Sequence, residues 1–215
     1  MQSKMSGSHY HKGYWEDGDG SNYHSYGFDP GWPVVASVVR QFYNPGAIAY
    51  EIACAKGYLV KTLLHFGINA YGIDISDYAI SKADSDIAER VQVANAVALP
   101  WEDKTADIVL SMEFFEHVPE DEVDIVLSEK MRVLKSGGII MMKINIIVPE
   151  SNPYRSSHEN DCDITHYTIK DRGWWESKFS DAGLIHENKI ENMLDNAFSG
   201  RDWFGRFFVW RKPNA

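Results

Sequence analysis

Between residues 47 and 147 short apolar runs alternate with amphipathic stretches, and this alternation restricts the fold more than any other feature of the chain. Residues 47–53 (AIAYEIA), 69–76 (NAYGIDIS), 91–94 (VQVA), 106–112 (ADIVLSM) and 139–147 (IIMMKINII) read as strands. Runs that stay apolar along most of their length mark strands covered on both faces. The intervening residues 58–66, 77–86 and 120–134 read as helices, and Gly137-Gly138 as the turn before the fifth strand. A strand that returns parallel to its predecessor needs a right-handed crossover, so helices must cover the sheet on both sides. The pattern predicts an α/β fold, a three-layer sandwich around a mostly parallel sheet.

Before the first strand, Pro33 suits an opening helical turn, and Val34, Val35, Val38, Val39 and Phe42 form one stripe that ends ahead of Asn44-Pro45-Gly46. After the fifth strand, residues 169–182 read as helical and residues 184–191 and 204–211 as extended. With no helix read between them, the last two strands are expected to pair antiparallel across a loop. That completes a seven-stranded sheet with an antiparallel final strand. Residues 32–215 are expected to form one domain, with an acceptor-side insertion at about 148–168. Residues 1–31 carry Tyr10, Tyr14, Trp15, Tyr23, Tyr26 and Phe28 among glycines, with no helical or strand period. Aromatic rings are costly to leave in water, so this arm is expected to pack on its own domain or to close over a ligand as a lid.

The 215 residues hold 21 Lys+Arg against 31 Asp+Glu, a net charge of -10. This balance disfavours nucleic acid as a partner, because such binding relies on clustered cations. No stretch approaches the ~18 consecutive apolar residues of a membrane span, and the first residues have no apolar secretion signal, so no membrane association and a cytoplasmic location are expected. Two cysteines, Cys54 and Cys162, exclude a disulfide framework and cannot alone build a four-ligand zinc site. A small molecule is the expected partner, with self-association left open.

Ligands of open α/β sheets sit outside the carboxyl ends of the strands. There the chain places Glu51–Gly57 (EIACAKG) after the first strand and Asp74 at the end of the second. Small residues let the backbone approach a ligand, and a carboxylate at that point can accept both ribose hydroxyl protons. The pair suits an adenosine-type ligand; a nicotinamide-dependent oxidoreductase would use the same pair, and an ordinary turn beside a solvated Asp would look alike.

Over residues 47–144, the segments AYEIACAKGYLVKTLLHFGINAYGIDIS, VANAVALPWEDKTADIVLSMEFFEHVPED and RVLKSGGIIMMKI resemble the class I S-adenosylmethionine-dependent methyltransferases, in their small-molecule branch. The resemblance implies a Rossmann-like fold and S-adenosylmethionine as cofactor. It matches Glu51 to the acid opening the first motif, and Ala53, Ala55 and Gly57 to the small positions against the cofactor. Asp74, with Ile75 beside it, matches the ribose site. Asn95 and Ala96 match the adenine site, and Met112 and Glu113 the methionine end. Residues 99–101 (LPW) and 134–138 (LKSGG) match the loop after the third strand and the turn before the fifth. Alanine at 53 and 55 departs from the family's glycines. If either takes a positive φ, strain of roughly 1 to 2 kcal/mol follows, which keeps open a cofactor-binding protein without turnover.

The implied activity is methyl transfer to a small polar acceptor, an oxygen of a sugar or related metabolite before a nitrogen. Proton removal from such an acceptor calls for a His or carboxylate at the same edge. His158, Asp161, Asp163 and His166 crowd together after the fifth strand, and His166 is assigned as the base, held by Asp163; His117, after the fourth strand, is the other candidate or a structural cap. Loops rich in Asp and His are ordinarily hydrated, so no metal is assigned. One of Trp174 and Trp175 is expected in the core. The acidic run Glu113, Glu116, Glu120, Asp121, Glu122 and Asp124 reads as a solvated helix entry. The aromatic and basic residues from Arg201 to Lys212 read as alternating burial in an edge strand rather than a nucleic-acid surface.

Overall fold

The computed structural model describes residues 4–147, 163–200 and 203–214. Its strands are β1 (Ile48–Ile52), β2 (Asn69–Asp74), β3 (Val91–Val93), β4 (Ala106–Met112), β5 (Leu134–Lys143), β6 (Ile185–His186) and β7 (Phe207–Arg211). They form one sheet in the order β3-β2-β1-β4-β5-β7-β6. The first five pair in parallel, and β7 runs antiparallel to both β5 and β6. The expected α/β sandwich and mixed seven-stranded sheet are therefore present.

Alternation of side chains along the strands divides the core between two faces. On one face Tyr50, Ile52, Val109, Ile140 and Phe208 pack with α5 (Val123–Val133) and α6 (Arg172–Asp181). On the other, Ala49, Ile108, Leu110, Met141 and Val209 pack with α2 (Trp32–Phe42), α3 (Tyr58–His65) and α7 (Asn188–Ala197). Trp175, fully buried against Phe115 and Phe179, is the core member of its tryptophan pair; Trp174 is only partly buried and has Lys170 and Lys178 over its ring. Asp171 caps α6, its carboxylate accepting the Trp174 N–H at 2.9 Å.

Several sequence expectations need correction. Residues 184–191 are not one strand: β6 is two residues long, and α7 separates it from β7. Ile190 and Leu194, four apart and both buried, supply the helical face that overrode the extended reading. Gly137 and Gly138 do not precede β5 but lie inside it, where Gly137 has φ +75 and the register with β4 shifts between Ala106 and Ile108. A Cβ at Gly138 would lie 2.9 Å from the Asp107 carbonyl oxygen, so this bulge needs a glycine. β7 is not an edge strand, and Phe207, Phe208, Val209 and Trp210 are all buried between its two neighbours. The helix expected at 77–86 is α4 (Asp77–Ser81) followed by a 3-10 turn (Ser85–Arg90), and that expected at 120–134 opens with a 3-10 turn (Glu120–Glu122). Glu116 and Glu122, read as solvated, are buried.

The arm contains a 3-10 turn (Gly7–His9) and a short helix, α1 (Lys12–Glu16), too brief to show a period in sequence. Tyr14 and Trp15 are buried to 2% and 6% exposure. Trp15 Nε1 donates to the Tyr10 carbonyl at 3.0 Å and to Ser76 Oγ at 3.1 Å, and Lys56 Nζ donates to Glu16 Oε1 at 2.7 Å and to the Tyr26 carbonyl at 2.8 Å. Tyr10, Tyr14, Trp15, Tyr23 and Tyr26 pack edge-to-face or stacked on one another, while Phe28 stays exposed. Among the described residues no helix is long and apolar enough to cross a membrane.

Candidate active site

β1 leads on to β2 on one side while its other neighbour β4 leads on to β5 on the other, so the connections diverge from these two carboxyl ends and open a crevice there. Beyond β1 the backbone turns through Ala53 (φ +62) and Ala55 (φ +49), and Gly57 (φ +76) then stands at the N-terminus of α3. Both alanines thus occupy the left-handed region that favours glycine. Asp74, at the end of β2, holds this turn: Oδ2 accepts the Ala55 N–H and Oδ1 the Ser76 N–H, each at 2.8 Å. Burial pushes the Asp74 carboxyl up to about 6, against the opposing pull of those backbone donors.

Glu51 is 4% exposed, and its Oε2 has no hydrogen-bond partner among the described residues. Burial raises its carboxyl well above the usual range, with the Val60 N–H opposing and the Asp74 charge reinforcing the shift. A buried acceptor left unsatisfied is costly unless a ligand completes it.

A cavity opens at these strand ends. Its wall includes eight of the ten cofactor positions read from sequence: Ala53, Ala55, Asp74, Ile75, Asn95, Ala96, Met112 and Glu113. Glu51 and Gly57 do not line it. A Cβ at Gly57 would meet Ile87 Cδ1 at 2.7 Å, so that glycine serves backbone conformation and packing. Tyr10, Tyr14, Trp15, Tyr23 and Tyr26 of the arm also line the cavity, as does His117. Glu113, at φ +50, is ion-paired with Lys143.

The acceptor-side residues meet beside His117. Asp163 Oδ1 accepts the Thr165 hydroxyl at 2.6 Å and the Thr165 N–H at 2.9 Å, and its Oδ2 accepts the Tyr14 hydroxyl at 2.7 Å. Thr165 Oγ1 is in turn 2.8 Å from His117 Nδ1. The His166 ring lies 4.6 Å from that of His117, centroid to centroid, and its Nε2 stands 4.0 Å from Asp163 Oδ2. All three candidates are therefore together, and short hydrogen bonds link His117 through Thr165 to the accepting Asp163 carboxylate. His158, Asp161 and most of the expected insertion lie outside the described residues.

Glu116 underpins this cluster. Its carbonyl accepts the Tyr167 and Thr168 N–H groups at 2.8 and 3.0 Å, and its Oε1 accepts the Asn145 N–H at 3.2 Å. Complete burial pushes its carboxyl up to about 8. Glu116, His117 and His166 each offer a donor atom within 4.8 Å of the others. Sequence reasoning missed Thr165 and Tyr14. The signal for Thr165 was Asp-Ile-Thr, since an Asp commonly accepts the N–H two residues on; Tyr14 carried none beyond its aromatic neighbours.

Comparison with known proteins agrees with this architecture. Residues 50–142 match the family model of a methyltransferase domain. An uncharacterized protein of Haemophilus influenzae is 28% identical over 161 residues, covering 70% of this chain and 60% of that protein. The 2-methyl-6-phytyl-1,4-hydroquinone methyltransferase of Synechocystis is 31% identical over 103 residues, covering 46% of this chain and 32% of the enzyme. The match thus spans 60% of the length of the first relative and about a third of the second. Among solved structures, the methyltransferase bound to the Trm112 activator of Haloferax volcanii superposes with a TM-score of 0.64 at 24% identity, covering 86% of this chain and 90% of that one. Phosphoethanolamine N-methyltransferase 2 of Haemonchus contortus, in complex with S-adenosylmethionine, gives 0.65 at 18% identity, covering 87% and 54%. Residues 50–142 thus match a methyltransferase domain, and the fold is that of the class I S-adenosylmethionine-dependent methyltransferases. The cavity wall fits that family's cofactor: the Asp74 carboxylate ends β2, and Asn95 and Ala96 follow β3.

Proposed function

We propose that the protein transfers a methyl group from S-adenosylmethionine to an oxygen of a small, uncharged polar acceptor such as a sugar. One observation carries this reading: the cofactor positions and His117 line the same cavity. Asp74 would accept the ribose hydroxyls, Asn95 and Ala96 border the adenine, and Met112 and Glu113 border the methionine end. The cofactor supplies a methyl group on a positively charged sulfur, a leaving group that needs alignment and dryness more than acid assistance. The aromatic arm provides the dryness, and its ring faces favour a nearby cation. Among the described residues the cavity wall has no Lys or Arg, which leaves a phosphate or carboxylate acceptor without a counter-charge. His117 takes the acceptor proton in this reading, with His166 beside it.

The positive φ values of Ala53 and Ala55 favour a second reading, a cofactor-binding protein that has lost turnover. Calorimetry with S-adenosylmethionine, S-adenosylhomocysteine and NAD separates both from an oxidoreductase. Incubation of a sugar and polyol panel with methyl-labelled cofactor, read by mass spectrometry, then separates them from each other. A labelled product supports methyl transfer to oxygen; binding without any product supports the second reading, and NAD binding alone overturns both.

A further inference from the structure

We propose that Thr165 and the arm residue Tyr14 are positioning residues that fix the proton on the His117 ring, holding the neutral imidazole as its Nδ1–H tautomer and leaving the lone pair on Nε2. This deepens the reading of the cavity as a methyl-transfer site, but its test does not depend on that reading.

The argument is one of counting hydrogens. Thr165 Oγ1 carries a single proton and sits 2.6 Å from a carboxylate oxygen of Asp163, which has none to give. The hydroxyl proton therefore goes to Asp163. Oγ1 also sits 2.8 Å from His117 Nδ1, and with its proton committed it can only accept. His117 must then donate from Nδ1, and in the neutral ring Nε2 is left unprotonated. Free imidazole carries no such bias toward Nδ1–H, so the chain imposes it.

Tyr14 enters through the other oxygen of Asp163. Its hydroxyl donates to Oδ2 at 2.7 Å, while Oδ1 takes both the hydroxyl and the N–H of Thr165. The carboxylate is thereby held in one rotation. Tyr14 belongs to α1 and is 2% exposed, Thr165 is 1% and Asp163 9% exposed, so water competes little for these bonds. The arm that roofs the cavity and the lone pair on the imidazole in its wall are thus linked through three hydrogen bonds: Tyr14 to Asp163, Thr165 to Asp163, and His117 to Thr165.

The test is long-range proton–nitrogen NMR on the full-length protein labelled with 15N-histidine, with His117 assigned by loss of its signals in His117→Gln. The neutral ring is expected to show a protonated Nδ1 and a bare Nε2. Thr165→Val should move the proton to Nε2, and Thr165→Ser should restore it to Nδ1. Tyr14→Phe, which keeps the packed ring and removes only the hydroxyl, should lower the Nδ1–H fraction. A bare Nδ1 in the wild type overturns the proposal, as does a Thr165→Val ring unchanged from wild type; an unchanged Tyr14→Phe ring overturns the part given to the arm. Should Thr165→Val fail to fold by circular dichroism, the wild-type and serine spectra still decide. Failure of the methyl-transfer reading would appear separately, as no binding of S-adenosylhomocysteine by wild type.

Discussion

The Asp74 carboxylate accepts the Ala55 N–H at 2.8 Å, so the acid that ends β2 also holds the turn that leaves β1. Asp74→Ala is therefore expected to remove a ligand contact and to loosen the turn together. Affinity for S-adenosylhomocysteine should fall below calorimetric detection. Asp74→Asn, which keeps one acceptor oxygen, should retain weak binding.

A pH dependence follows from the same group. In the proposed reading ribose hydroxyls donate to the ionised carboxylate, and burial raises the Asp74 carboxyl from 3.8 to about 6. Affinity for S-adenosylhomocysteine should hold on the alkaline side and fall by about tenfold per pH unit below 6. The ligand-free fold should behave oppositely. A carboxyl whose folded pKa is raised binds more protons folded than unfolded, so its contribution to stability declines as pH rises from 3.8 to about 6. Calorimetry and denaturant unfolding across that range check the two signs.

Ala53→Gly and Ala55→Gly should each stabilise the protein. Relief of left-handed strain is worth roughly 1–2 kcal/mol, and the added freedom of glycine in the unfolded chain offsets roughly 0.4–1 kcal/mol of it. Both changes also remove a methyl group from the cavity wall, so ligand affinity should rise alongside the urea midpoint. A fall in both quantities would show that these methyl groups make favourable contacts.

Trp175→Ala should cost about 3–5 kcal/mol, because it empties a core position between Phe115 and Phe179. Trp174→Ala should cost under about 1 kcal/mol, since that ring is partly exposed and flanked by lysines. Urea unfolding of the two variants separates adjacent residues of one helix.

Chymotrypsin should cut the ligand-free protein first within residues 10–26, and saturating S-adenosylhomocysteine should slow that cut severalfold. The arm is held by a few hydrogen bonds and by the contacts of its rings, whereas the sheet is held by a two-sided core. Peptide mapping of a time course reads both effects.

The parallel part of the sheet was legible in sequence because strands buried on both faces are written as apolar runs, and β4 matches its expected bounds residue for residue. The end of the chain was less legible. Ile190 and Leu194 sat in a segment that also reads as extended, and an aromatic stretch buried on both faces looked like an edge. Of the positions assigned to the cofactor from motifs, all but Glu51 and Gly57 line the cavity. The Tyr14–Asp163–Thr165–His117 chain could not be read this way, since it joins residues up to 149 positions apart. Glu116 resembled its acidic neighbours in sequence, and only the fold shows it enclosed.

The rings over the cavity belong to the protein's own leading residues, anchored through Trp15 to Ser76 and through Lys56 to Glu16. An occupant of the space beneath would touch those rings, so weakening either anchor is expected to change how long it stays.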